Sequence, residues 1–351
     1  MSTAETPRPE DDPEQVLPLL DAETLALLAD LAAQPHDALI KRVLTANLAG
    51  VGELFRSRMS GSLAASIDWT TLAMEPASFV KRDLKQTYSD LLFSVRRGNK
   101  TILIYLLFEH QSTIDPSMPL RLLGYMVEIW RRYRESHPTG LLPPVIPLVL
   151  NQGPSEWTVS TQFEDQFRDP KEAEKLGTDQ DLTDLLPYLP KFTHDVFDLP
   201  KTEPRTELQD ERLRISLYLM QQVRLSQSLQ EFFRWLNANH GATIDVDFFR
   251  LLLLYALHAD TALDYEKLLR ETLTHQNLRT TIMTVAAQLK AEGESQGEAR
   301  GRLLGSIATL ESLLHLPATP TEILSSLSLA ELEATLQKLR VQVQNRFPDA
   351  K

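Results

Sequence analysis

The sequence contains no cysteine at any of its 351 positions. This absence excludes a disulfide framework, thiolate zinc sites and cysteine nucleophiles, and it fits a reducing compartment. No apolar run approaches the roughly 20 residues that a helix needs to span a bilayer. The first residues, MSTAETPRPEDDPEQ, are acidic and lack the basic and apolar regions of a signal peptide. We therefore expect a cytoplasmic protein that is not held in a membrane.

The charge of the chain is unevenly distributed. The formal net charge of -12 argues at first against nucleic acid as a partner. Residues 1–36 carry a net charge of -7 and residues 141–351 one of -9, but residues 37–140 carry +4. Because local fields rather than the total charge steer a polyanion, the central positive block leaves room for a DNA-binding surface.

The spacing of apolar residues predicts an α/β protein. The predicted elements are, in order, helices at 13–34 and 35–59, a short strand within 67–82, a strand hairpin in SDLLFSVRRGNKTILIYLLFEHQ, a helix at 115–136 and a strand at 142–153. The second helix is expected to break near Gly50 and Gly52. A strand, a helix and another strand in one sheet imply a parallel, right-handed crossover.

The remainder of the chain is predicted to be helical, at 206–237, 245–257 and 262–290. Glycines at four-residue intervals from Gly293 to Gly305 indicate a flexible helical connector. Capping boxes at Thr319–Glu322 and Ser328–Glu331 each predict a short helix. The predicted division is an acidic extension at 1–34, a strand-containing domain at 35–186, a proline-rich linker at 187–204, a helical region at 205–305 and a small helical tail module at 306–351.

The strand that ends in Phe-Glu-His-Gln is the first candidate for a functional site. If Asn99 and Lys100 form the hairpin loop, Asp90 lies directly opposite Glu109, and other loop choices shift this pairing by a residue or two. Side chains alternate faces, so Gln111 shares the face of Glu109. Two carboxylates this close share either a proton or a cation. Without cysteine or paired histidines, an oxygen-binding cation such as Mg²⁺ or Mn²⁺ fits best.

Several segments together resemble the Rpn family of recombination-promoting nucleases, also called YhgA-like transposases. The matching segments are PHDALIK at 35–41, SFVKRDLKQTYSD at 78–90, ILIYLLFEHQS at 102–112, RLLGY at 121–125, PVIPLVLNQG at 144–153 and EGESQGEARG at 292–301. The resemblance runs from about residue 35 to about residue 305. The combined motifs are fairly specific, whereas no single one would be.

The resemblance implies a fold and a set of site residues. The Rpn family looks like a branch of the PD-(D/E)XK nuclease superfamily, whose core is a helix, an antiparallel strand hairpin, a helix and a parallel strand. By position, the superfamily aspartate falls on Asp90, and Glu109-His110-Gln111 stands where the superfamily has (D/E)-X-K. Asp37 is a candidate third metal ligand, and Glu53 is a weaker one. The domain at 35–186 would then be the nuclease domain.

The activity that the resemblance implies is that of a Mg²⁺-dependent DNA endonuclease, with a link to recombination. Metal on Asp90 and Glu109 would lower the pKa of a bound water, and Gln111 would align that water. A glutamine orients water through hydrogen bonds but lacks the charge of the superfamily lysine. The candidate contacts to DNA phosphates are Lys41, Arg121, Arg131, Arg132 and Arg134.

Other interpretations stay open on the sequence alone. The glutamine in place of lysine and the acidic outer segments favour a catalytically silent, nuclease-like module that binds protein or DNA partners. An aspartate at the position of Asp37 is often a helix cap. An arginine cluster such as Arg131 to Arg134 is typical of a solvated helix end. The site does not specify the strand-transfer chemistry of a full transposase. The C-terminal helices fit a homo-oligomer or a docking surface equally well.

Overall fold

A computed structural model of the chain describes residues 21–75, 91–109, 114–167, 185–225, 227–260, 267–268, 272–314, 316–317 and 319–346. The chain divides into two compact units. Residues Ala26–Arg279 form the first unit, and the helices after Thr280 belong to the second. The first unit has the α/β architecture that the sequence predicts.

A mixed sheet is the centre of the first unit, with five strands among the described residues. They lie across the sheet in chain order: β1 (Asp68–Met74), β2 (Leu91–Arg97), β3 (Lys100–Glu109), β4 (Val145–Asn151) and β5 (Asp195–Asp198). The first three strands are antiparallel neighbours, whereas β4 runs parallel to β3 and β5 runs parallel to β4. The hairpin and the parallel strand after it therefore have the predicted order.

The hairpin between β2 and β3 turns at Gly98 and Asn99. Arg97 pairs with Lys100, and Gly98 has a φ of +57°. Glycine adopts this left-handed conformation without steric cost, which suits the first position of a two-residue hairpin loop. The loop is therefore Gly98–Asn99 and not Asn99–Lys100, the choice that would put Asp90 directly opposite Glu109, and the pairing is shifted by two residues from that register.

The helices before β1 are α1 (Ala22–Ala33), α2 (Pro35–Ala46), α3 (Leu48–Arg56) and α4 (Gly61–Ala65). The helix break predicted near Gly50 and Gly52 lies at Asn47 instead, and both glycines are inside α3. The reason is a cap, because Oδ1 of Asn47 accepts a hydrogen bond of 3.2 Å from the N–H of Gly50. Gly50 permits close packing here, since a Cβ would lie 2.8 Å from Nδ2 of Asn47 and 3.2 Å from Oδ1 of Asp210.

One face of the sheet is covered by α5 (Met118–Ser136), the predicted crossover helix. Its apolar stripe packs on strands β2 and β4 in a cluster formed by Leu92, Met118, Leu122, Tyr125, Met126, Ile129, Val145 and Val149. Since strand residues alternate faces, Leu148 and Leu150 lie on the opposite face, and both are fully buried. Burial on both faces is typical of a parallel strand inside a sheet.

The stretch 187–204, predicted to be a proline-rich linker, contains β5 and so completes the sheet. Phe197 of β5 is fully buried. A short strand at the edge of a sheet tolerates nearby prolines, because its outer N–H groups need no ladder partner. Short 3₁₀ helices lie at Phe163–Phe167, Leu186–Tyr188 and Leu199–Lys201.

The helices after β5 are α6 (Pro204–Glu207), α7 (Glu211–Arg224), α8 (Leu229–His240) and α9 (Val246–Ala259). The single helix predicted at 206–237 is therefore interrupted, with α7 ending at Arg224 and α8 beginning at Leu229. Helices α7 and α9 both pack against α2, so they belong to the same unit as the sheet.

The second unit contains most of α10 (Gln276–Leu314), followed by α11 (Thr321–Ser326) and α12 (Leu329–Arg346). A Cβ at any of the four spaced glycines of α10 would meet nothing within 4 Å in the described part of the unit, so they do not mediate close helix packing there. The capping box of Ser328 and Glu331 is formed. The box predicted at Thr319–Glu322 is not formed, because Thr319 bonds to Glu311.

Candidate functional site

Three parallel strands end side by side at one edge of the sheet. The parallel ladders pair Glu109 with Asn151 and Asn151 with Asp198, the last residues of β3, β4 and β5. Ligand sites of open α/β sheets lie beyond the carboxyl ends of the strands. This edge, which includes the main chain of the predicted ligand Glu109, is therefore the candidate functional site.

Asn151 and Asp198 fasten two of these strand ends together. The Nδ2 group of Asn151 donates hydrogen bonds to Oδ1 of Asp198 at 2.6 Å and to the carbonyl oxygen of Ser155 at 2.9 Å. The other carboxylate oxygen of Asp198 accepts a hydrogen bond of 2.9 Å from the N–H of Trp157. These bonds hold the loop that follows β4 and begins with Gln152.

Helix α2 brings Asp37 to the start of that loop. Asp37 is in the first turn of α2, and its side chain is 2% exposed. Nε2 of Gln152, a fully buried residue, donates to Oδ1 of Asp37 over 3.4 Å. The interpretation of Asp37 as a helix cap is wrong, because Gln34 occupies the N-cap position of α2. Helix α2 therefore places the buried carboxylate of Asp37 beside Gln152, the first residue after β4.

Further buried polar groups lie around Asp37. Nδ1 of its neighbour His36 lies 2.6 Å from the hydroxyl oxygen of Tyr255 in α9. Burial raises the pKa of the Tyr255 phenol well above its ordinary value. Burial lowers the pKa of the Arg224 guanidinium, against the opposing charge interactions with Tyr255 and Asp37. The carboxylate of Asp37 thus has a positively charged neighbour in α7.

A cavity of about 300 Å³ reaches Asp37 from the side of α1 and α2. Its lining consists of Leu27, Asp30, Ala33, Gln34, Asp37, Ala38, Lys41, Arg42 and Thr45. Lys41 lies one helical turn after Asp37 and is exposed. Two of the predicted site residues, a metal ligand and a phosphate contact, therefore border the same cavity.

Two of the predicted catalytic residues, Asp90 and Gln111, lie outside the described residues, as does His110, and only the main chain of Glu109 is described. The described register begins with Leu91 opposite Leu106, two residues away from the register in which Asp90 would face Glu109. Their meeting across the hairpin stays a prediction.

In the part of the chain that the structure describes, no three acidic or histidine side chains are close enough together to hold a metal ion. The predicted set of Asp37, Asp90 and Glu109 includes side chains beyond that part. Mg²⁺ or Mn²⁺ as the cofactor therefore stays a prediction as well.

The predicted phosphate contacts on α5 have different surroundings. Arg121 forms an ion pair of 2.9 Å with Asp115. Burial raises the pKa of Asp115, but hydrogen bonds from Ser117 and Arg121 outweigh this effect and hold the pKa below its ordinary value. Arg134 donates to the carbonyl oxygen of Gly140 at 3.0 Å, which stabilises the end of the helix.

The middle of this arginine cluster is more accessible. Arg132 bonds to Glu128 at 3.2 Å and is 21% exposed, whereas Arg131 lies 3.7 Å from the same carboxylate and is 72% exposed. Arg131 and Lys41 are therefore better placed to meet a polyanion than Arg121 or Arg134.

Glu53, the weaker candidate ligand, has a structural contact. Its two carboxylate oxygens accept hydrogen bonds of 2.6 Å each from the N–H groups of Gln209 and Asp210. The carboxylate thereby joins α3 to the start of α7. These two contacts favour a structural role for Glu53 over the predicted role as a metal ligand.

The sequence reasoning did not single out Asn151, Gln152 or Asp198. A signal was present, since Asn151-Gln152-Gly153 directly follows an apolar strand, as Glu109-His110-Gln111 does. Two strands joined by a parallel crossover end at the same edge, so polar residues after both are expected to meet. Asp198 lacked such a signal because β5 was not predicted.

A family model described as "Putative transposase, YhgA-like" matches residues 34–245, more than half of the chain. The chain belongs to this family. The matched region of this YhgA-like protein contains the whole sheet, helices α2 to α8 and the candidate site.

The chain is also similar to curated proteins of Escherichia coli. It is 34% identical over 145 residues to recombination-promoting nuclease RpnD of strain O157:H7, covering 40% of this chain and 55% of the relative. It is 33% identical over 150 residues to recombination-promoting nuclease RpnA of strain K12, covering 41% and 49%. The inactive recombination-promoting nuclease-like protein RpnE of strain K12 is 31% identical over 149 residues, covering 42% and 49%. The chain thus spans about half the length of these relatives.

No solved structure gives a significant match to this chain. Among the described residues, none of the helices combines the length and the apolar character that crossing a membrane requires.

Proposed function

We propose that this protein is a metal-dependent DNA endonuclease of the PD-(D/E)XK type that hydrolyses phosphodiester bonds and takes part in recombination. The observation that carries the proposal is the position of Glu109. Glu109 ends β3, the strand that pairs with β2 in the hairpin and with the parallel strand β4 on its other side. This strand end lies at the edge where α2 places Asp37. The order of helix, antiparallel strands, helix and parallel strand supports a nuclease core of this type, and the names of the relatives RpnD and RpnA support DNA as the substrate.

The residues near this edge fit a hard divalent cation. Asp37 is a buried carboxylate, and the carboxamide oxygen of the neighbouring Gln152 is buried without a hydrogen-bond donor among the described residues. Oxygen donors of these two kinds are the ligands that Mg²⁺ and Mn²⁺ prefer. When bound, such a cation lowers the pKa of a water molecule and offsets charge on the phosphate.

The chain's own groups would divide the remaining work. Asp90, Glu109 and Asp37 would hold the cation, and Gln111 would accept or donate hydrogen bonds that align the attacking water. Lys41, at the mouth of the cavity beside Asp37, and Arg131 on α5 would bind the DNA backbone without reading sequence.

A second function is favoured by one observation. The relative RpnE, 31% identical to this chain, is named an inactive nuclease-like protein. Together with glutamine at the lysine position, this supports the alternative of a catalytically silent module that keeps DNA or protein binding but does not hydrolyse the backbone.

Nicking of supercoiled plasmid in the presence of Mg²⁺ or Mn²⁺ tests the proposal. We expect cleavage by the wild-type protein, its loss in Asp90→Ala and Glu109→Ala, and wild-type cleavage by Asp247→Ala, which changes an exposed carboxylate on α9. DNA binding measured in parallel separates the two functions. Binding without cleavage in either metal supports the silent module, and equal cleavage by all variants contradicts the proposed site.

A further inference from the structure

Gln152 is a buried polar residue whose hydrogen bonding is incomplete. The residue is 0% exposed, and it directly follows the last residue of β4. Its Nε2 group donates to Oδ1 of Asp37 over 3.4 Å. Its Oε1 atom is buried and has no donor among the described residues.

An acceptor left in this state destabilises a fold by about 1–3 kcal/mol. A carboxamide oxygen can be satisfied by a hydrogen-bond donor or by a cation. The adjacent carboxylate of Asp37 favours the cation, because a carboxylate beside a neutral oxygen offers attraction and coordination together. The unsatisfied oxygen therefore points to a bound ion.

The position of Gln152 relates it to the strand ends. Asn151, the residue before it, pairs with Glu109 in the parallel ladder between β3 and β4. The main chain of Gln152 is thus one residue beyond the partner of the predicted ligand. The cavity of about 300 Å³ that borders Asp37 gives an ion from solvent a way to this carboxylate.

We propose that Oε1 of Gln152 is a ligand, together with the carboxylate of Asp37, of the divalent cation in the nuclease site; this inference rests on the proposed function. A neutral ligand adds coordination without adding a further negative charge to a site to which the proposed function assigns three carboxylates. Rotation of the carboxamide about its last bond exchanges Oε1 and Nε2. The hydrogen bond to Asp37 therefore forms when no ion is bound, and the oxygen is presented when one is.

Binding of Mn²⁺ to the protein, measured through the electron paramagnetic resonance signal of the free ion, tests this role without relying on activity. Gln152→Met keeps the size of the side chain and removes the oxygen. We expect its dissociation constant for Mn²⁺ to rise by about tenfold or more, as for other changes around metal sites. Without Mn²⁺ its unfolding midpoint should change little, because loss of the long hydrogen bond to Asp37 is offset by removal of the unsatisfied acceptor.

Gln221→Met is the matched control. Gln221 is also buried, but its Nε2 group donates to the carbonyl oxygens of Leu199 and Thr202. This control is expected to be less stable and to bind Mn²⁺ with wild-type affinity. Gln152→Glu gives a second measurement, because it keeps an oxygen donor and should bind Mn²⁺ at least as tightly as the wild type.

Two outcomes contradict this inference and leave the proposed function in place. Unchanged Mn²⁺ affinity in Gln152→Met, with weaker binding in Asp90→Ala and Glu109→Ala, contradicts the role of Gln152 and leaves the nuclease site in place. Affinity that falls tenfold in a folded Gln152→Glu protein also contradicts the role. A wild-type protein that binds no Mn²⁺ overturns both.

Discussion

Asn151 and Asp198 end adjacent parallel strands and share a buried hydrogen bond of 2.6 Å from Nδ2 to Oδ1. The second oxygen of Asp198 accepts the N–H of Trp157, so one carboxylate holds the end of β4, the end of β5 and the loop between them. Gln152 begins that loop. The geometry of the candidate site therefore depends on a residue that is not itself part of the proposed chemistry.

We expect Asp198→Ala to lower the free energy of unfolding by about 3 kcal/mol, because it leaves the Trp157 N–H and one donor position of Asn151 without their acceptor. Asp198→Asn keeps one acceptor oxygen and should cost less. Denaturant unfolding at pH 7 measures both. Equal stability of Asp198→Ala and the wild type would show that water replaces the lost acceptor.

Glu53 should matter for stability and not for metal binding. Its carboxylate accepts two main-chain hydrogen bonds of 2.6 Å from Gln209 and Asp210. Because hydrogen bonds to charged groups are the stronger ones, Glu53→Ala is expected to lower the free energy of unfolding by about 2–4 kcal/mol. The folded variant should bind Mn²⁺ with the affinity of the wild type, and weaker binding would indicate that Glu53 is a metal ligand. Glu135→Ala, an exposed position on α5, is the control.

The predicted phosphate contacts should separate into two groups. Arg131 is 72% exposed, whereas Arg134 donates to the carbonyl oxygen of Gly140 at the end of α5. We expect Lys41→Gln and Arg131→Gln each to weaken DNA binding and to reduce the slope of log affinity against log salt by about 1. Arg134→Gln should mainly lower stability. Fluorescence anisotropy over a salt series measures the slopes, and a loss of slope only in Arg134→Gln would contradict this division.

His194 should make the stability depend on pH. The residue is 1% exposed, its ring packs edge-on against Trp157, and burial lowers its pKa to about 4 from the ordinary 6.5. The folded state keeps the ring neutral while the unfolded state takes up a proton below pH 6.5. The contribution of the neutral His194 ring to the free energy of unfolding is therefore fully present above pH 6.5. It is lost as the pH falls toward 4 and amounts to at most about 3 kcal/mol.

Denaturant unfolding between pH 7 and pH 4.5 checks this dependence. His194→Phe keeps a ring of similar size but cannot take up a proton, so its stability should fall less with pH than that of the wild type. His137→Gln, at an exposed position on the helix end, is the control. Parallel curves for the wild type and His194→Phe would show that other groups cause the pH dependence.

The order of the main elements could be predicted from the sequence because it depends on local patterns. The apolar run before Glu109 and the apolar stripe of α5 each indicate that neighbouring residues along the chain are buried. The period of the apolar residues and the length of the segment distinguish a strand from a helix. The register of the hairpin could not be predicted, because neighbouring loop choices near Gly98 differ little in local preference. The strand β5 was missed because four residues between prolines have too little pattern of their own.

The same division applies to the candidate site. Asp37, Glu109 and Lys41 could be named from residue type and resemblance. The contact of Gln152 with Asp37 joins positions 115 residues apart in the chain. The apolar periodicity of a segment does not indicate which of its side chains will contact the end of a distant strand. Glu53 shows the reverse case, since only its main-chain partners in the folded chain reveal a structural role.

By itself the sequence determined the family, the absence of thiol chemistry and the order of the main helices and strands up to β4, because each follows from residue type or from neighbours along the chain. The tertiary structure decided that Glu109, Asn151 and Asp198 end side by side, and that Gln152 meets Asp37 in the interior. The physical reason is that parallel pairing and helix packing bring distant residues together only when the whole sheet has formed.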